Sequence, residues 1–169
     1  QEISSQLLVD HRHKKHQVEI DFFDLENNIS RIIETKRFEL KGVHNLFIMY
    51  RFHSPLIKPV RVPKSDFYRV LSSIINNGVE ATLTQRERRI SVIIEPEEEW
   101  VSIQVGDNGS GIPVELRETL FDENTTSKEN GTGIGLSICK AIVEKWGGNV
   151  FVKSTGTKGT TIVFQIPYL

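Results

Sequence analysis

Apolar residues change their spacing several times along the chain, and each change predicts an element. Ile3, Leu7 and Leu8 fall at helical spacing and run into His11-Arg12-His13-Lys14-Lys15-His16, which reads as a helix end entered from upstream and then a solvated linker. Alternation in Val18-Glu19-Ile20-Asp21-Phe22 predicts a strand. Asp24 is placed to cap a helix with apolar positions Leu25, Ile29, Ile32 and Ile33. Leu46–Tyr50 is an apolar run of strand length, followed by a loop carrying Pro55, Pro59 and Pro63. The strongest periodic signal is Phe67, Val70, Leu71, Ile74, Ile75, Gly78 and Val79, which predicts an amphipathic helix over 66–83 with Ser65 as its N-cap.

Later elements are shorter. Segments 89–95 and 100–106 flank the acidic turn Pro96-Glu97-Glu98-Glu99 and should pair as a hairpin. A short helix is expected to start at Pro113, and another to run from about Gly135 to Trp146, where Gly147-Gly148 end it. Strands at 149–153 and 160–166 close the chain. Helices and strands interleave, but the late strand pairs are hairpins. The expected fold is therefore α/β: a two-layer sandwich with a mixed sheet of about five strands and helices on one face.

Composition narrows the class. The 169 residues suit one domain, and 38% hydrophobic with 25% charged residues excludes collagen, general disorder and a membrane-embedded body. A net charge of -1 offers no electrostatic grip on nucleic acid. The lone Cys139 excludes an internal disulfide and agrees with a reducing, cytoplasmic compartment. No apolar run approaches the ~20 residues of a spanning helix. A chain starting at Gln1 without Met is expected to be a piece of something longer, whose anchor or sensor would lie elsewhere.

Glycine usage locates the candidate chemistry. Ten of twelve glycines lie beyond residue 105, six of them between Gly106 and Gly135. Four segments stand out. Asn76-Asn77-Gly78-Val79-Glu80-Ala81 sits on the long helix; Asn77 lies one turn after Ser73, and its amide oxygen suits a Mg²⁺ that keeps phosphate and water ligands. Gly106-Asp107-Asn108-Gly109-Ser110-Gly111-Ile112-Pro113 follows a strand. A plain Asn-Gly hairpin there would need an alternating strand next, and the chain instead enters Gly-Ile-Pro and a helix. The backbone can pass close under a flat ligand, with Asp107 accepting from the exocyclic amine of adenine and repelling the carbonyl of guanine. Leu120–Lys128 is polar enough for a lid, from which Lys128 could reach a terminal phosphate. Gly131-Thr132-Gly133-Ile134-Gly135-Leu136-Ser137 opens a helix, where backbone N–H groups and the dipole favour phosphate. A dinucleotide fingerprint fails on spacing, and a Walker loop fails because the chain contains no Gly-Lys.

In that order the segments resemble the ATP-binding domain of sensor histidine kinases, within the superfamily (GHKL, Bergerat fold) that also holds gyrase-type, MutL-type and Hsp90-type ATPases. The resemblance covers roughly residues 18–167. Asn76–Ala81 matches its N box, Asp107–Pro113 its first glycine box, Phe121–Lys128 its F box, Gly131–Leu136 its second glycine box, and Gly159–Phe164 its closing strand. The resemblance implies that Asn77 holds Mg²⁺, with Ser73 beside it, and that Asp107 reads adenine with help from Thr160. Gly109, Gly111 and Ile112 then floor the pocket. Lys128 and the run Gly131, Thr132, Gly133, Ile134, Gly135 and Leu136 take the phosphates, and Asn77 and Lys128 serve catalysis.

It further implies transfer of the γ-phosphoryl of Mg-ATP to a His on a separate helical hairpin, a response-regulator receiver domain downstream, and a cytoplasmic domain whose parent is a homodimer and can be anchored in the inner membrane. The fragment alone is compatible with a monomer, because dimerisation belongs to the hairpin. Residues 1–16 are then the tail of that hairpin and linker, and 17–169 the ATP-binding domain. The family's acceptor His precedes an acidic residue; here His11, His13, His16, His44 and His53 precede Arg, Lys, Gln, Asn and Ser. Three positions depart from the family: Ser73 replaces Asn, Glu80 a frequent Lys or Arg, and Asn124 an aromatic. Hydrolysing relatives carry a Glu one turn before the metal Asn, so Ser73 favours transfer over hydrolysis. A nucleotide-gated interaction module, with ATP ordering residues 122–132 and no phosphoryl leaving, and a hydrolysing ATPase are the alternatives.

Overall fold

The computed structural model describes residues 24–53, 58–122 and 135–169. The expected strand at 18–22, the histidine-rich linker, Lys128, Asn124 and the run 131–134 lie outside the described residues. The elements are α1 (Leu25–Glu39), β1 (Leu46–Phe52), α2 (Lys64–Ala81), β2 (Arg88–Pro96), β3 (Trp100–Asp107), a 3-10 turn (Val114–Leu116), α3 (Gly135–Lys145), β4 (Asn149–Gly156) and β5 (Gly159–Pro167).

The five strands form one sheet in the order β1-β2-β3-β5-β4. β1 and β2 are parallel and every other pair is antiparallel, so the sheet is mixed, as the sequence predicts. Alternation puts Ile90, Val92, Ile94, Val101, Ile103, Val105, Ile162, Phe164 and Ile166 into a core shared with α1, α2 and α3. α2 is central to it: Phe67, Val70, Leu71, Ile74 and Ile75 are buried along one stripe. Phe67 stacks on Trp146 with centroids 6.5 Å apart and meets Phe164 edge-on at 6.0 Å.

The opposite sheet face carries a hydrogen-bonded polar ladder. Gln104 donates to Glu95 and accepts from Lys153 Nζ at 2.9 Å, while Ser102 donates to Glu97 and accepts from Gln165 Nε2 at 3.1 Å. Ser102 and Gln104 are buried by these partners. Each has its polar atoms bonded, so its burial carries little penalty.

Several boundaries differ from the sequence expectation. Asp24 does cap α1, accepting from Asn27 N–H at 3.0 Å. Ser65 is not the cap of α2: the helix begins at Lys64, and Pro63 occupies the cap position with extended ψ and no side-chain bond. Proline restrains its own φ and biases the residue before it towards extended backbone, so the Pro59–Pro63 loop delivers the helix start without a hydroxyl. α2 stops at Ala81 rather than 83. Thr82 Oγ1 donates to Val79 O at 2.7 Å and Arg88 Nη2 donates to the same carbonyl at 2.6 Å, which satisfies the helix end. The segment at Pro113 forms only a 3-10 turn, with Pro113 just before it. β4 and β5 outrun 149–153 and 160–166 because a tight turn between Gly156 and Gly159 lets pairing continue to their tips. Among the described residues no helix is long and apolar enough to cross a membrane.

Candidate functional site

α2 supplies one wall. Ser73, Asn77 and Ala81 stand at i, i+4 and i+8, on the flank of the buried stripe, and span about 12 Å at 1.5 Å per residue. At the first end, a Cβ on Gly135 would lie 3.3 Å from Ser73 Oγ, so Ser73 faces the start of α3. The thiol of Cys139, which is fully buried, donates to Val70 O at 3.9 Å; burial pushes its pKa up, against the influence of nearby Ser73 and the charge of Arg69. At the other end the carbonyl of Ala81 accepts from Ser110 N–H at 3.4 Å. Asn77 is half-buried between the two ends.

β3 delivers Asp107 as its last residue, one step beyond buried Val105 on the helix-facing side. Asp107 Cβ lies 3.3 Å from where a side chain on Gly78 would begin, so the carboxylate sits against α2 one residue past Asn77. Its Oδ1 accepts two backbone N–H groups, from Gly109 at 2.7 Å and from Thr160 at 3.3 Å. Among the described residues no donor reaches Oδ2. Burial raises the Asp107 pKa, and the two N–H bonds oppose that rise. The arrangement holds one oxygen still and leaves the other to accept.

The loop after Asp107 is not a hairpin turn. Asn108 Oδ1 accepts from Arg89 N–H at 2.7 Å and its Nδ2 donates to Glu87 O at 2.8 Å, so its amide continues the pairing with β2 after the strand has ended. A Cβ on Gly109 would strike the Ala81 backbone, and one on Gly111, at φ +80°, would strike the backbone of Gly156. The spacing of these glycines predicts a backbone that passes close under a flat ligand. In the structure the protein's own chain already needs them, because the loop is clasped between the end of α2 and the β4–β5 turn. Ile112 N–H donates to Thr155 Oγ1 at 2.8 Å, and Thr155 and Thr160 hydroxyls lie 3.0 Å apart.

The fold thus ranges these residues along the second half of α2: Gly135 and Leu136 start α3 beside Ser73, Asn77 stands between, and Asp107, Gly109, Gly111, Ile112 and Thr160 gather towards Ala81. Leu136 packs its side chain against the core behind α3, and Phe121 docks into the same core. Gly131, Thr132, Gly133, Ile134 and Lys128 are outside the described residues. Sequence reasoning missed Thr155 and Arg88. Neither carries a local signal: Thr155 matters through its distance to Ile112 and Thr160, and Arg88 through two atoms of α2.

A one-sided α/β sandwich with a carboxylate at a strand end, facing a helix that carries an amide, defines a class of nucleotide-binding domain. The sequence pattern of the family described as histidine kinase-, DNA gyrase B-, and HSP90-like ATPase matches residues 63–169, and the chain belongs to that family. It is 33% identical to the sensor histidine kinase WalK of Bacillus subtilis over 162 residues, which are 92% of this chain and 26% of WalK. The chain therefore spans about a quarter of that relative. The nucleotide-free catalytic domain of histidine kinase ThkA superposes with TM-score 0.74 at 27% identity, over 86% of this chain and 93% of that one. ThkA in complex with the response regulator TrrA superposes with TM-score 0.72 at 24% identity, over 87% of this chain and 41% of that one, a likeness of fold.

Proposed function

We propose that this domain binds Mg²⁺–ATP and presents the γ-phosphoryl to a histidine on a separate helical hairpin of the parent kinase, with a response-regulator receiver domain downstream. The supporting observation is the divided carboxylate of Asp107. Oδ1 is consumed by two backbone N–H groups, and Oδ2 is left to accept the purine amine. From there the Ser73–Asn77–Ala81 flank leads to the N-terminus of α3, whose dipole favours phosphate.

Among the described residues no group of three His, Cys, Asp or Glu could hold a metal, and the donor set fits a cation that arrives on phosphate oxygens and meets the Asn77 amide. Mg²⁺, when bound, supplies charge neutralisation for the phosphates. Positioning is the protein's own contribution: the pocket fixes the purine, and Lys128 with Gly131 to Leu136 takes the phosphate tail. Ser73 has no basic group, which supports transfer to a protein acceptor over water activation. Within this reading residues 17–169 are the ATP-binding domain and 1–16 the tail of the acceptor-bearing helix.

Calorimetric titration with ATP, ADP and GTP, each with and without Mg²⁺, tests the pocket. Adenine nucleotides binding while GTP does not is the expected result, and indifference to ATP and ADP removes the proposal. With γ-labelled ATP and a separately supplied acceptor hairpin, label on the hairpin histidine is expected. Nucleotide-dependent docking without label would favour the gated module, and steady phosphate release would favour hydrolysis.

A further inference from the structure

The β4–β5 pairing changes register once. Asn149 to Val152 pair with Gln165 to Ile162, but beyond Lys153 the partners are Ser154 with Thr161 and Thr155 with Thr160. One extra residue in β4 has been absorbed at a bulge. Had the first register continued, Ser154 would stand opposite Thr160. The bulge instead puts Thr155 there; Lys153, on the open face by alternation from core-facing Val152, donates through Nζ to Gln104 Oε1 at 2.9 Å.

Thr155 is thereby tied at two points. Its Oγ1 accepts the N–H of Ile112 at 2.8 Å, and its hydroxyl lies 3.0 Å from that of Thr160, whose own backbone N–H holds Asp107. The two hydroxyls share two protons. Either could donate, and each choice leaves one hydrogen over, but Thr155 Oγ1 already accepts from Ile112 N–H, which makes it the better donor and the poorer second acceptor. If Thr155 donates to Thr160, its proton is satisfied and the Thr160 hydrogen is released to a ligand.

The geometry assigns to Thr155 a positioning role in purine recognition: anchored by Ile112 N–H, it donates to Thr160 Oγ1 and so aims the Thr160 hydrogen at the ring nitrogen next to the exocyclic amine. This rests on the proposed adenine pocket. In adenine that nitrogen is an acceptor, which suits a directly donated hydrogen. In guanine it carries a proton, and donor would face donor. Selection against guanine then comes from two places, the Asp107 carboxylate and the hydroxyl relay.

Titrating ATP and 1-deaza-ATP, in which that ring nitrogen is replaced by C–H, against the protein and its Thr155→Val, Thr155→Ala and Thr155→Ser variants tests the role. The wild type should prefer ATP by about threefold to tenfold, the span of one net hydrogen bond. Thr155→Val should weaken ATP by a similar factor while leaving 1-deaza-ATP nearly unchanged, and Thr155→Ser should restore the gap. Thr155→Ala removes the hydroxyl independently if the valine variant misfolds. Equal weakening of both ligands would mean that Thr155 only braces the loop, and an unchanged gap would mean that it does nothing to the purine; either overturns the assignment. A wild type that binds ATP but ignores Thr155 leaves the pocket standing, whereas a wild type that binds neither ligand overturns pocket and relay together.

Discussion

Three residues separate Phe164 from Thr160 along β5, and the two ends of that short stretch are built on opposite principles. At Phe164 the side chains of Phe67, Trp146 and the surrounding isoleucines fill space without directional bonds. At Thr160 the contacts are made largely by backbone: N–H groups on Asp107, the Gly109 segment on Ala81, Gly111 on Gly156. The first end is stabilised by buried apolar area and tolerates any shape that conserves volume. The second is specified atom by atom, and a single added carbon has nowhere to go. Stability and the proposed recognition are thus separable along one strand.

Phe67→Ala should give the largest effect and break the first end alone. Loss of a fully buried aromatic costs about 3–5 kcal/mol, read as a lower urea midpoint, while the protein that remains folded keeps its nucleotide affinity. Gly111→Ala attacks the second end through its backbone. A Cβ at φ +80° that also meets Gly156 should cost about 2–4 kcal/mol and weaken nucleotide binding with it, read by thermal melting and titration.

Asp107→Asn sharpens the contrast, because it should harm recognition without harming the fold. Asparagine keeps one oxygen for the Gly109 and Thr160 N–H groups but turns an NH₂ towards the purine amine, so ATP affinity should fall about tenfold or more. The pH dependence of stability has a definite sign. The folded pKa of Asp107 is raised by burial, so its contribution is fully present below the unfolded value of about 3.9 and is lost as pH rises through the raised value. At neutral pH the variant should therefore melt no lower than the wild type, and any advantage should vanish in acid; an advantage that grew in acid would contradict the assignment. Asn77→Ala should have the smallest effect, about threefold on ATP with Mg²⁺ and almost none without it. Calorimetry in EDTA against Mg²⁺ reads the difference, and an unchanged metal response would remove Asn77 from the site.

Much of the apolar end can be read from the chain. The Phe67 to Val79 stripe predicts α2, alternation predicts both hairpins, and the ordered segments around Asn77, Asp107 and Gly135 predict which ends meet. What the reading missed concerns partners that no local pattern announces. Ser65 has the composition of a cap, yet Pro63 starts the helix. Gly109 and Gly111 look made for a ligand, yet their first obligation is to the backbone of Ala81 and Gly156.

The sequence by itself determined periodicity, turn positions and the order of the functional segments, since these depend on residues a few places apart and on side-chain type. Only the tertiary structure decided the hydrogen-bond partners: Arg88 on the Val79 carbonyl, Asn108 on β2, and the bulge at Lys153 that sets Thr155 rather than Ser154 across from Thr160. A bulge shifts register by one residue and so exchanges which side chain faces the site. That choice is made by the packing of a whole sheet, and no window of sequence contains it.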